Sequence, residues 1–457
     1  MKKADTRTQL LTQSPFKLMV SLSVPAIIGM LVVGLYNLMD AIFVGQMIGT
    51  SAMGAVSVAY PFTLINNGVA TLIGVGSASV LSRAVGKKDQ ETIDKIMGNL
   101  IVLNLILGII ITVVGMNFTK QILSLSGAQG EILDNAERYL HIIFAGSLFV
   151  NFAQSANMVM RGEGALKKAM LIMGTGAIIN IILDPIMISM LKEKGLGIEG
   201  AAYATVISQV IMAVITIWYF VKKSKSVRIH KIKLEMELLP EIIGVGFSAM
   251  LMQVMTLIQQ TILYNVAAQH GGESWQIILG ATLRVQAFAF IPLWGMSQGF
   301  QPAAGTNFGA KQYNRVKQIM KVFSIGATAL TLIFYIPIEL APSTVLSWFI
   351  TDPEIVKQGI TDFRILFGIY FLYGFMIMVI TLMQSLGKAS KASVLVLLRQ
   401  VILFIPFVIL IPKAIGIDGV FIAPALVDFI VCILALLMVM SEFKNMGKQS
   451  IGQEVSI

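Results

Sequence analysis

Cysteine and histidine are almost missing from this chain, with one Cys and three His in 457 residues. The single Cys432 excludes a disulfide framework within the chain. His141, His230 and His270 stand far apart, with no HExxH and no Cys/His cluster, so no tightly bound catalytic transition metal is expected. Charge is scarce too, at 13% of residues, against about 25% in an ordinary soluble domain. Apolar residues take its place: 56% of the chain is hydrophobic, and the mean hydropathy is +0.81. These totals describe an integral membrane protein whose apolar runs are helical spans.

Twelve apolar segments are expected to cross the bilayer, near 16–44, 53–82, 93–115, 135–160, 168–191, 197–221, 239–266, 275–305, 316–338, 359–386, 391–412 and 416–441. Several exceed the roughly 20 residues a crossing needs, so tilt, kinks or extensions beyond the bilayer are expected. The polar, basic start MKKADTRTQLLTQSPFK leads into a run too long for a signal peptide, so the first span is expected to be retained.

Lys and Arg set the orientation. With the N-terminus inside, 25 of the 34 fall in or beside the inside connections and 7 beside the outside ones. Both termini are therefore expected to be cytoplasmic, in the cell (inner) membrane. The net charge of +10 is accounted for by topology and by attraction to anionic lipid, and implies no nucleic acid.

The chain also repeats itself. AVGKKDQETIDKIM (84–97) aligns with NFGAKQYNRVKQIM (307–320) at an offset of 223, placing Gly86 on Gly309 and Lys88 on Lys311. The same offset aligns MRGEGALKKA (160–169) with MQSLGKASKA (383–392), placing Gly164 on Gly387. KGLGIEGAAYA (194–204) matches KAIGIDGVFIA (413–423) at an offset of 219. The expected organisation is a six-helix lobe (1–221), a basic cytoplasmic linker (222–238) and a second six-helix lobe with a short tail (239–457). Six is even, so both halves enter the membrane in one direction. They should be related by a pseudo-two-fold axis along the membrane normal.

Few polar groups interrupt the spans. Asp40 lies inside the first, with Tyr36 and Asn37 on the same helical face. A carboxylate at that depth costs about 2.5–3.5 kcal/mol, so a chain that keeps one usually uses it. In the fifth span, Asn180 and Asp184 are four apart and share a face, with Pro185 directly after. Two carboxylates with amide oxygens suit a Na⁺, and they suit a proton equally well. A helix–helix polar clamp is the structural alternative. Asn151 and Gln154, with Ser155 and Asn157, mark a cavity wall or helix contact in the fourth span, and Thr205 could add an oxygen from the sixth.

At an offset of 223, Asp40 falls on Leu263, Asn180 on Leu403 and Asp184 on Phe407, so the second half lacks equivalents. Its charged candidates are Arg284, Arg399 and Asp428, which could pair with one another. Arg399 reads as a side chain snorkelling toward the cytoplasmic end.

With these residues in view, the chain resembles the multidrug and toxic compound extrusion (MATE) family. The resemblance is spread over the chain: LYNLMDAIFVG ending at Gly45, Pro61, AVGKKD (84–89), RGEGALKKA (161–169), NIILDP (180–185), GIEGAAYAT (197–205), GAKQ (309–312) and SLGKASKA (385–392). It is most similar to the bacterial branch containing the staphylococcal-type multidrug exporters. The resemblance implies two lobes around a V-shaped cavity and alternating access. It also implies export of amphipathic, often cationic compounds, driven by inward Na⁺ or H⁺. The family's first-lobe cation site would map onto Asp40, Asn180 and Asp184, with Thr205, and Tyr36 and Asn37 match polar positions beside it. Some members also use second-lobe carboxylates. Here 247–265 has none, which leaves Asp428 as a poor substitute.

Other functions fit less well. A flippase for a lipid-linked glycan should line its cavity with several arginines, and only Arg284 and Arg399 are available. An intramembrane enzyme needs a nucleophile with a base, or a metal set. A channel suits a two-half design with buried titratable groups less well than alternating access does. The expected partners are drug-like amphiphiles and lipid, with the chain acting as a monomer and without a cofactor.

Overall fold

Long apolar runs fix the fold. In hydrocarbon every backbone N–H and C=O must be satisfied within the segment, which a helix does. The computed structural model describes residues 6–125, 128–224 and 226–454, and among them there are helices and no strand. Lys2, Lys3 and Lys225, counted above among the inside basic residues, lie outside the described residues.

The helices run α1 (Thr6–Thr12), α2 (Pro15–Phe43), α3 (Thr50–Lys87), α4 (Gln90–Leu125), α5 (Gly130–Ala145), α6 (Ser147–Gly162), α7 (Leu166–Lys192) and α8 (Gly197–Trp218). They continue with α9 (Leu239–Gly271), α10 (Glu273–Gly309), α11 (Tyr313–Leu340), α12 (Pro342–Ser347), α13 (Pro353–Phe367), α14 (Tyr370–Ser385), α15 (Ala389–Leu397), α16 (Phe404–Ile415) and α17 (Asp418–Glu454). Eleven described helices or continuous helix runs are long and apolar enough to cross a membrane. The pair α5 and α6, bent by 57° at Gly146, adds a twelfth when counted as one broken span. With the pair counted so, each of the twelve expected segments coincides with one of these candidate spans. At 38 residues α3 is about 57 Å long, well beyond a hydrocarbon core of about 30 Å.

Side chains sort for lipid rather than water. On α4, Ile106, Ile109, Ile110 and Val113 are exposed at helical spacing, the pattern of a lipid-facing stripe. Small and polar residues turn inward, as on α3, where Ser77, Ala78, Ser79 and Ser82 are buried.

The internal repeat has a backbone counterpart. Lys88 and Lys311, matched at an offset of 223, both adopt left-handed φ, 61° and 59°, just past the ends of α3 and α10. The matched Gly164 and Gly387 do the same at 83° and 73°. Left-handed φ is uncommon outside glycine, so two lysines sharing it at equivalent positions mark one structural unit built twice.

The chain divides into two compact units, one of residues 28–253 and one of residues 1–27 with 254–457. The division falls inside α2 and α9, not in the basic stretch 222–238. Within the first of these units, the start of α9 lies backbone to backbone on α3. A Cβ at Gly246 would strike the Leu72 carbonyl, and one at Gly76 the Ile242 carbonyl. Within the other, Gly295 and Gly299 of α10 admit the backbone of α2 at Ile27 and Leu22.

Among the described residues, wide π turns end α2 at Val44–Ile48 and α8 at Tyr219–Lys223, and a third lies between α15 and α16 at Leu398–Ile402. Such turns shift side chains out of the 3.6-residue register and recur at functional sites.

Candidate functional site

Helices α2 and α7 each carry one carboxylate, and the fold brings the two together. The side chains of Asp40 and Asp184 lie next to one another, close enough to interact directly. Asp184 is fully buried and Asp40 half-buried. Asn180, one turn before Asp184 on α7, donates from Nδ2 to Asp184 Oδ1 at 3.4 Å and to Thr205 Oγ1 of α8 at 3.4 Å. The structure thus joins the four residues Asp40, Asn180, Asp184 and Thr205. Pro185 lies within α7, where its ring removes one backbone hydrogen bond beside the carboxylate.

Three oxygens of this group have no hydrogen-bond partner: Asp40 Oδ1, Asn180 Oδ1 and Asp184 Oδ2. Buried polar atoms are normally paired. Three orphaned acceptors from two carboxyls and an amide form a donor set for a hard cation. The same two carboxyls fit a shared proton equally well.

Tyr36, expected beside Asp40, lies within its electrostatic reach and that of Asp184. Two tyrosines that the sequence did not single out join it, Tyr60 of α3 and Tyr139 of α5. Nothing marks them in the sequence, because a tyrosine in a membrane helix is commonplace. The remaining expected residues stand apart from the carboxyls in their bonding. Asn37 is exposed. Gln154 donates to Asn67 Oδ1 at 3.0 Å. Asn151 is fully buried, and its amide has no hydrogen-bond partner.

In the second half, Arg399 does not snorkel. Its Nε donates to Asp428 Oδ1 at 2.7 Å, and one terminal nitrogen bonds Asp428 Oδ2 at 3.3 Å and the Tyr373 hydroxyl at 2.6 Å. Its guanidinium also lies over the Tyr373 ring, 4.8 Å from the centroid. The wide turn at Leu398–Ile402 carries the arginine into this position. Arg284 takes no part; it is exposed and makes no ion pair among the described residues.

A third polar cluster, also unmarked by the sequence reading, closes the α6–α7 connection. Glu163 accepts from Tyr219 and, at 3.0 Å, from Ser224 Oγ, which itself accepts from the Val227 amide at 3.1 Å. Burial pushes the Glu163 carboxyl up to about 7, against the opposing effect of those hydrogen bonds. Separately, Arg83 of α3 donates to Glu241 at the start of α9.

Comparison with known proteins places these features in a family context. A family model described as MatE matches residues 25–186 and 249–410. The multidrug export protein MepA of Staphylococcus aureus (strain MSSA476) is 28% identical over 438 residues, covering 95% of this chain and 96% of its own. The crystal structure of MATE in the bent conformation is similar with a TM-score of 0.91 at 28% identity, over 98% of this chain and 100% of that one. The straight conformation of MATE gives 0.90 at 29% identity over the same shares.

Proposed function

The chain belongs to the MatE family, and from that premise we propose that it is a secondary active multidrug exporter. It expels amphipathic, often cationic compounds in exchange for inward H⁺ or Na⁺. The observation that carries this reading is the contact between Asp40 and Asp184 with three unpartnered oxygens around it. The export named for MepA supports the substrate class.

Exchange follows from electrostatics. Two adjacent carboxylates in a low-dielectric site repel unless a proton or metal cation sits between them. In the outward-facing form the pair takes up the cation from outside. Asn180 orients Asp184 through its amide, and Thr205 orients Asn180 in turn. Neutralising the pair lets α2, which carries Pro25 within it, bend or repack, and this favours release of the drug. The inward-facing form then loses the ion to the cytoplasm. The ion drives the cycle only through its different affinity for the two states. That MATE is solved in both bent and straight conformations supports a family member with more than one stable form.

The protein works in the cell membrane as a single chain, with both termini cytoplasmic, as the excess of Lys and Arg in the inside connections supports. The test is efflux of a fluorescent cationic dye from vesicles holding the purified protein, with Na⁺ and pH gradients imposed separately. One gradient should drive efflux; efflux with neither refutes antiport.

A further inference from the structure

We propose that residues 226–238 are a strap across the unit of residues 28–253, latched through Ser224 to Glu163, and that falling pH tightens this latch while rising pH loosens it. The latch lies outside the export site and works whichever ion drives export. The stretch has the composition of a linker, but its backbone is docked on α4. A Cβ at Gly98 would strike the Lys231 carbonyl. Asn99 Oδ1 accepts from the Glu235 N–H at 2.9 Å, and Gln90 Nε2 donates to the Ser226 carbonyl at 3.5 Å. His230 Nε2 lies 3.4 Å from Asp94 Oδ1. Beyond the strap, α9 begins against α3, through Arg83 and Glu241 and the close approach at Gly246. Residues 239–253 of α9 belong to this unit and the rest of the helix to the other. The strap thus fixes the start of a helix by which the chain passes between the units.

The latch is a buried carboxyl held by hydroxyls. Glu163, between α6 and α7, is 5% exposed. It accepts from the Tyr219 hydroxyl and, at 3.0 Å, from Ser224 Oγ. That same Ser224 oxygen accepts from the Val227 N–H at 3.1 Å, so one serine ties the carboxyl to the strap. The charged group facing Glu163 is Lys168 of α7, whose Nζ sits over the Tyr219 ring, 5.1 Å from its centroid. Arg161, two residues before, makes no ion pair among the described residues. At the second tie, Gln90 also holds Asp94, at 2.7 Å. Glu91, Glu235 and Glu237 gather around Lys95.

Burial sets the direction of the response. It raises the Glu163 carboxyl from 4.5 to about 7. Lifting the strap lets water reach the carboxyl and returns it toward its ordinary value. Between 4.5 and about 7 the latched form therefore binds more protons than the open one. The latch is tightest at the acid end of that window and loosest at the upper end. The His230–Asp94 contact is an ion pair only while the imidazole is protonated, so it weakens in the same direction. Both its side chains are well exposed, so its share is small. The excess of Lys and Arg puts the strap on the cytoplasmic side. Acidification of the cytoplasm thus closes the strap.

The experiment is hydrogen–deuterium exchange on the full chain in lipid nanodiscs, with exchange times scaled for the intrinsic effect of pH. The Val227 and Glu235 amides, each bonded to a side chain that the strap leaves on opening or that tethers it, are the reporters. In the wild-type protein their protection should fall by about tenfold or more between about pH 5 and pH 7. Peptides from the middle of α4 should show no such fall. Glu163→Gln, neutral at every pH, should remove most of the dependence. Ser224→Ala cuts the tie without touching the carboxyl and should lower strap protection at acid pH and flatten its profile. A flat wild-type profile overturns the proposal whether or not either variant folds. The full wild-type slope in a folded Glu163→Gln or Ser224→Ala protein also overturns it. Failure of driven dye efflux by the wild-type protein would count against the export reading and leave this result standing.

Discussion

The carboxyl of Asp40 on α2 touches that of Asp184 on α7, and Asn180 holds the second of them through a 3.4 Å hydrogen bond. In the proposed cycle these two acidic groups serve as the cation or proton site, because packing alone gains nothing from their repulsion.

Asp184→Asn keeps the size and hydrogen-bonding capacity of the side chain and removes its charge. Driven dye efflux should fall by about tenfold or more, which corresponds to about 1.4 kcal/mol of lost ion coupling. The amount of protein in the membrane should stay the same on an immunoblot of the membrane fraction. Efflux at the wild-type rate would exclude Asp184 from coupling.

Thr205→Ala removes the oxygen that accepts from Asn180 at 3.4 Å. A single neutral hydrogen bond is worth about 0.5–1.5 kcal/mol, so the half-saturating concentration of the driving cation should rise by about two- to tenfold. The rate at saturating cation should change little. A loss as deep as that of the carboxylate variant would mean that Thr205 is itself an essential ligand.

Glu163 gives a pH signature away from the coupling site. Its carboxyl is raised from 4.5 to about 7 in the folded protein, chiefly by burial. The folded state then binds more protons than the unfolded state between those values, so this group's contribution to stability is full below about 4.5 and falls away as pH rises to about 7. Thermal melting of the wild-type protein should drop across that window, and Glu163→Gln should flatten the drop. An unchanged pH profile in the variant would contradict the assignment.

Gly246 tests the backbone contact between α9 and α3. A methyl group there meets the Leu72 carbonyl, which belongs to a helix and cannot swing aside. Gly246→Ala should cost about 1–3 kcal/mol, seen as a lower melting temperature. Gly174→Ala, where an added Cβ meets nothing within 4 Å, is the control and should be neutral or slightly stabilising. Equal melting of the two variants would remove the contact from the account.

Much of this was legible in the sequence. The spans were, because runs of this hydropathy have no other stable state in a bilayer. The repeat was, because Lys88 and Lys311 keep both residue type and left-handed backbone. Asp40, Asn180 and Asp184 stood out as polar groups among apolar neighbours, and helical spacing put the last two on one face. Tyr60 and Tyr139 did not stand out, since their role comes from which helices pack together. The Arg399–Asp428 pair was only one of several possible pairings, because the wide turn at Leu398–Ile402 resets the direction of the arginine and no residue pattern announces such a turn. The 57° bend at Gly146 likewise rests on one glycine in a run that otherwise reads as a single helix.

The most direct measurement is dye efflux from vesicles by Asp40→Asn beside the wild-type protein, under whichever imposed ion gradient drives the wild type. The account predicts sustained efflux by the wild type and none above the protein-free background by the variant, with equal amounts of protein reconstituted. Efflux by Asp40→Asn at the wild-type rate would contradict it.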